Sequence, residues 1–240
     1  MNQYPVACLQ PPHLAAMIAW EGAADWYRDS THHGGMVSTF WANWYDMQVK
    51  TVQHGWGEWG GVNPITGELI SGPDTNSEED LDRNRVDFGS EILNHPLIDY
   101  YYEERTPDWT KVQVPMLTSG NWGGHGLHLR GNVEAFVRAA SNEKWLEIHG
   151  FEHWTEFYTR YGVELQRRFF DYFLKGEDNG WSNQPRVQLQ IRTTNGSVER
   201  HENEWPIART RWTRLYFDVP SNSLKERSIE GQNSCEYEAT

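Results

Sequence analysis

Three side-chain types make a covalent hydrolase: a hydroxyl nucleophile, an imidazole base and a carboxylate to orient it. His153 lies in Gly150-Phe151-Glu152-His153-Trp154, directly after a run that reads as a strand and before a long helical pattern. A histidine at that junction suits the base of a serine triad, and the plainer reading is a helix-start histidine with no catalytic role. The triad order Ser, acid, His is compatible with a late histidine. The serines offer no nucleophile elbow. G-x-S-x-G is absent, and Ser90, after Phe88-Gly89, is nearest in texture but follows no strand. The other polar segment at a strand end is Gly120–His128 (GNWGGHGLH).

Ten histidines also raise a metal reading. His32 and His33 are adjacent and point apart, whereas His125 and His128 are three apart and can share a helix face. Neither pair has Glu or Cys at a spacing such as H-E-x-x-H, so no metal and no cofactor are expected. The aromatic run between Phe40 and Trp59 reads as a packed helix and loop rather than a carbohydrate platform.

The elements that must position these residues follow from periodicity. Residues 2–13 read as a helix end stopped by Pro11-Pro12, and Leu14–Trp20 as a short apolar strand before the turn Glu21-Gly22. Helical pattern covers Met36–Val52, Ser77 caps an acidic helix start, and a short helix is expected over Pro96–Glu103. Val112–Ser119 reads as a strand, Gly131–Ala140 as a helix and Lys144–His149 as a strand. Thr155–Lys175 reads as one helix, with Phe157, Tyr161, Leu165, Phe169 and Phe173 every four residues and Gly176 as its stop. Strand–helix–strand–helix order implies a parallel α/β sheet, whose ligands bind beyond the carboxyl ends of the strands. Val187–Arg192 and Arg214–Val219 read as further strands, taken as the start of a separate β domain.

Composition bounds the rest. The chain has 240 residues, enough for a sizeable core. Thirteen Trp, 11 Tyr and 9 Phe offset a hydrophobic fraction of 38% and argue against disorder. A net charge of −13 argues against nucleic acid as a partner. No apolar run has membrane-spanning length, and the first residues lack the basic and apolar regions of a signal peptide. Two isolated cysteines, Cys8 and Cys235, make no disulfide framework. A cytoplasmic location is therefore expected.

The segments LQPPHLAAMIAWEGAADWYRD (9–29), HPLIDYYYEERTPDWTKVQVPMLTSGNWGG (95–124), KWLEIHGFEHW with the helix after it (144–176), FLKGEDNGW (173–181) and RHENEWPIARTRWTRLYF (200–217) carry a resemblance. Over nearly its full length the chain resembles the Xaa-Pro dipeptidyl-peptidase and cocaine-esterase (CocE/NonD) group of serine hydrolases. The resemblance implies an α/β-hydrolase core, an inserted helical cap and a C-terminal jelly-roll β-sandwich. Mapped onto this sequence, residues 1–27 and 111–180 are core, 28–110 cap and 181–240 the start of the jelly roll. It also implies that the nucleophile elbow and oxyanion groups lie upstream of the helix ending near Pro11. The chain then resembles a fragment or a truncated gene product, inactive alone for want of its serine.

The family places an Asp soon after the strand matching 112–119, in a Gly-Trp-x-Asp context. Here Gly120-Asn121-Trp122-Gly123-Gly124 has no carboxylate. The histidine position is met by His153. The acid falls to Glu21, at the end of the preceding strand, or to Asp25, and Glu21 is expected within hydrogen-bond reach of a His153 nitrogen. Against this stands a purely structural role for Glu21. Trp26, Tyr27, Trp41, Trp44 and Trp122 are expected to line the acyl pocket. The implied activity is cleavage of an ester or amide bond, the Xaa-Pro peptide bond included, through an acyl-enzyme. Substrates are small acyl esters, amides or peptides, without nucleic acid or membrane, and a homo-oligomer is compatible. The alternative is a non-catalytic binding module or pseudoenzyme.

Overall fold

Residues 2–231 and 233–236 are described by a computed structural model, His125 and His153 by their backbone alone. In chain order the first unit contains α1 (Gln3–Cys8), β1 (Met17–Trp20), the short pair β2 (His32–His33) and β3 (Met36–Val37), and α2 (Phe40–Trp44). It continues with α3 (Glu78–Arg83), α4 (Phe88–Asn94) and α5 (Tyr100–Glu103). Then come β4 (Met116–Asn121), α6 (Leu129–Arg138), β5 (Lys144–His149), α7 (His153–Tyr158), α8 (Arg160–Lys175), β6 (Val187–Thr193) and β7 (Gly196–Glu202). This unit spans residues 1–203.

A five-stranded sheet runs in the order β1-β4-β5-β6-β7. The pairs β1–β4, β4–β5 and β5–β6 are parallel, and β6–β7 is an antiparallel hairpin. Both faces are covered, so β4 is buried at every residue and β5 at all but the first, the pattern of a parallel strand between helix layers. On one face α1 and α6 bring Tyr4, Ala7, Ala135 and Ala139 against Met17, Ala19 and Met116. On the other, Leu165 and Phe169 of α8 meet Leu117, Trp145 and Trp181. Phe169 is wholly buried, a contribution of about 1.5–3 kcal/mol from its side chain.

The helix expected over Thr155–Lys175 is two helices. Thr159 is extended (φ −66°, ψ 162°), and its hydroxyl accepts from Gly162 N at 3.1 Å to cap α8. The break brings Gly162 so close to Glu156 that a Cβ there would stand 2.0 Å from the Glu156 carbonyl oxygen. Aromatic spacing carries through this corner because Phe157 of α7 packs edge-on against Trp20 while Tyr161, Leu165 and Phe169 of α8 face the core; the capping geometry, not the apolar pattern, sets the break. The expected strand at Val112–Ser119 begins later, at Met116, since Trp109–Lys111 forms a turn of 3₁₀ helix capped by Asp108.

Residues 28–110, between β1 and β4, hold short helices with aromatic packing. Trp41 Nε1 donates to Ser30 O (2.9 Å), Tyr27 stacks on His32, and Tyr102 meets both edge-on. Ser77 caps α3 as expected, accepting from Asp80 N. The second unit, residues 204–240, contains among its described residues the antiparallel pair β8 (Tyr216–Asp218) and β9 (Ser223–Lys225). Among the described residues, no helix is long and apolar enough to cross a membrane.

Candidate active site

Parallel register gathers the polar groups. Trp20 of β1 pairs with Ser119 of β4, and Ser119 with Glu147 of β5; Asn121 pairs with His149. Glu21 extends β1 by one residue, its N–H donating to Ser119 O at 2.7 Å. Glu21, Asn121 and His149 thus meet at the carboxyl end of the sheet, where open α/β sheets bind ligands.

Glu21 is buried and has a left-handed backbone, φ +58°. A non-glycine residue there is held by its surroundings at a cost of about 1–3 kcal/mol, a feature concentrated at functional sites. Its Oε1 accepts from Asn121 Nδ2 at 2.8 Å and stands 3.5 Å from His149 Nε2. Among the described residues, its Oε2 is buried without a hydrogen-bond partner. A Cβ on Gly124 would lie 3.2 Å from Oε2, so this oxygen faces the Gly120–His128 segment.

The loop after Glu21 is fixed from two sides. Asn132 Oδ1, inside α6, accepts from Gly22 N at 3.0 Å. Asp29 Oδ2 accepts from Ala24 N and Asp25 N, while its Oδ1 accepts from Arg130 at 2.6 Å. Gly131 leaves room for this packing: a Cβ there would meet Ala23 Cα at 2.6 Å.

His149 is wholly buried, with Trp20 stacked on its ring at 5.2 Å. Its Nδ1 donates to Glu147 Oε2 at 2.9 Å, an oxygen that also accepts from Ser119 Oγ at 2.5 Å; Tyr161 reaches Glu147 Oε1 at 3.4 Å. Burial alone pushes the imidazole pKa down. The Glu147 hydrogen bond and the approach of Glu21 outweigh it, so His149 rises to about 9. Burial also pushes Glu147 up, against the His149 and Ser119 hydrogen bonds that hold it down. Both members of the pair therefore hold protons more tightly than usual. The arrangement is a protonated ring set between the Glu147 and Glu21 side chains.

The expected site residues are distributed as follows. His153 begins α7 at this same end of β5; its side chain lies outside the described atoms. Asp25 is engaged by Arg28, accepting its backbone N–H at 3.0 Å and pairing with its guanidinium. Trp26 and Trp41 pack on each other (4.8 Å), Trp44 stacks on Phe40, and Trp122 Nε1 donates to Gln190 O at 2.7 Å. A hollow of about 470 Å³ at the strand ends is lined by Asn121, Gly124, His128, Phe151, Trp154 and Arg192, among others. Trp26 lines a different hollow, beside Pro5 and Phe88. Ser119 is buried and donates to Glu147. Among the described residues, no three His, Cys, Asp or Glu side chains group as a metal site.

Glu147, His149 and Asn121 are functional candidates that the motif reading passed over. The signal was present in KWLEIH: Glu147 and His149 are two apart, hence on one face of a strand that is otherwise apolar after Lys144.

A family model described as X-Pro dipeptidyl-peptidase (S15 family) matches residues 1–155. Two crystal structures of a CocE/NonD family hydrolase from Staphylococcus aureus superpose with TM-scores of 0.75 and 0.73, each at 30% identity. In both cases 96% of this chain is covered, and the chain spans 37% of the other's length. No curated protein matches.

Proposed function

Because the chain belongs to the X-Pro dipeptidyl-peptidase (S15) family of hydrolases, we propose that it carries the acid and base of a serine hydrolase that cleaves an ester or amide bond. The Xaa-Pro peptide bond is among the candidates. In this reading His153 takes the nucleophile's proton and later returns it to the leaving group, and Glu21 orients the ring and stabilises the imidazolium that forms. One observation carries the assignment: the buried Oε2 of Glu21 at the strand ends, without a hydrogen-bond partner among the described residues. A buried carboxylate oxygen left without a donor is costly, and an imidazole N–H supplied from the start of α7 would satisfy it. Asp25 is the weaker choice because Arg28 engages it. Residues 28–110 act as the cap, the β-sandwich begins after β7 rather than at residue 181, because β6 and β7 join the core sheet, and Tyr27, Trp41, Trp44 and Trp122 shape the acyl side.

None of the chain's serines serves as nucleophile in this reading. Ser30, Ser71, Ser119 and Ser141 are buried, and Ser90 is occupied in capping α4 with Asp87. The expected results are no covalent labelling of this chain by a fluorophosphonate, and movement of the His153 ring ¹⁵N resonances on Glu21→Gln. Labelling at a serine would overturn the nucleophile statement. A His153 spectrum indifferent to Glu21→Gln would overturn the acid assignment.

A further inference from the structure

The acid assignment leaves the buried His149 unused, although it is the group that touches Glu21 from behind. We propose that His149 is a positioning residue: clamped between Glu147 and Glu21, its ring and the Asn121 amide together hold Glu21 Oε1, leaving Oε2 as the oxygen presented to the catalytic base. The inference rests on the reading of Glu21 as the triad acid.

Four features support it. First, Glu21 Oε1 accepts a hydrogen bond from Asn121 Nδ2 at 2.8 Å and lies within ion-pair distance, 3.5 Å, of His149 Nε2; among the described residues that nitrogen makes no hydrogen bond of its own, and Oε2 has no hydrogen-bond partner. The two oxygens of one carboxylate are thus unequal, as an acid that must direct a single oxygen requires. Second, the ring cannot turn away. Nδ1 is tied to Glu147 Oε2, Trp20 covers a face, and Glu147 is in turn held by Ser119 Oγ and Tyr161. Third, the groups lie on adjoining elements of rigid sheet, β4, β5 and the residue after β1, where position is set by backbone register. Fourth, Glu21 sits at φ +58°, so its own backbone does not favour the geometry and outside contacts must fix it.

The titratable groups around the ring are Glu147 on its own strand and Glu21 after β1. Tyr161 of α8 and Glu156 of α7 lie behind Glu147. The flanking carboxylates outnumber the ring, so His149 remains protonated at neutral pH and both its N–H groups are available as donors.

The test is NMR on the full chain, ¹⁵N-labelled, following the His149 ring nitrogens and the Asn121 side-chain amide from pH 6 to 10. Both ring nitrogens should read as protonated at pH 7, and the Asn121 amide should shift with the same midpoint as the ring, because both groups address Oε1. Glu147→Gln, which keeps shape but removes one flanking charge, should lower both midpoints together by about 1–3 pH units. A neutral His149 at pH 7, or an Asn121 amide with no transition at the ring's midpoint, would overturn the clamp. Should Glu147→Gln not fold, Ser119→Ala serves as the second variant: removing one hydrogen bond to Glu147 makes that carboxylate more basic and raises both midpoints together. Separate movement of the two signals in that variant also counts against the clamp. Failure of the acid assignment reads differently: His149 and Asn121 titrate together, while the His153 ring ignores Glu21→Gln.

Discussion

Asn132→Ala isolates the support beneath the proposed acid. Asn132 is wholly buried in α6. Its Oδ1 accepts from Gly22 N at 3.0 Å, and its Nδ2 donates to Ala19 O at 3.0 Å and Thr118 Oγ1 at 2.7 Å. Truncation does not strand the Thr118 hydroxyl, which keeps Tyr4 Oη at 2.7 Å and the Asn132 main-chain carbonyl at 3.2 Å. The Ala19 carbonyl keeps its place in the β1–β4 ladder, so the loss concentrates on the Gly22 N–H beside Glu21. An unsatisfied buried group costs about 1–3 kcal/mol, a sizeable part of a typical stability of about 5–15 kcal/mol. In urea, at about 3 kcal/mol/M, the midpoint should fall by about 0.3–1 M. Asn132→Leu restores the volume without the hydrogen bonds and should be destabilised at least as much. A loss under about 1 kcal/mol for Asn132→Ala, or recovery in Asn132→Leu, would show that filling space rather than hydrogen bonding explains the residue.

Three further outcomes are expected. His149 binds its proton more tightly folded than unfolded, so its contribution is complete below about pH 6.5 and disappears as pH rises through about 9. Thermal unfolding across that window should show a decline on the order of 3 kcal/mol, largely abolished in Glu147→Gln; a flat profile contradicts the imidazolium assignment. Gly131→Ala drives a methyl into the Ala23 and Ala24 backbone, at 2.6 and 2.7 Å, and should cost about 1–3 kcal/mol or more in urea; near-neutral stability would mean the Glu21 loop yields easily. Phe169→Ala opens the α8 face of the core and should cost about 3–5 kcal/mol by denaturant unfolding, with a smaller loss indicating that α8 collapses onto the sheet.

Local periodicity made much of the scaffold legible. Lys144–His149 is a strand with the expected ends, β1 falls within Leu14–Trp20, and the four-residue aromatic spacing marks the helical segment after it. Long motifs pointed to the family. The break at Thr159 escaped because an apolar stripe continues through a capped corner. The alternation of Val187–Arg192 identified a strand but not its partner, since pairing is a non-local choice; the structure joins β6 to β5.

For the site, sequence determined which residue types sit at strand ends: Glu21 after one strand, and His153 after another. Only the tertiary structure could decide their neighbours. Parallel register brings Glu21, Asn121 and His149 side by side from three distant stretches, leaves one carboxylate oxygen without a donor among the described residues, and encloses an imidazole between two acids. Hydrogen-bond satisfaction and charge in a buried site depend on distances between chain segments, and those distances come into being when the sheet assembles.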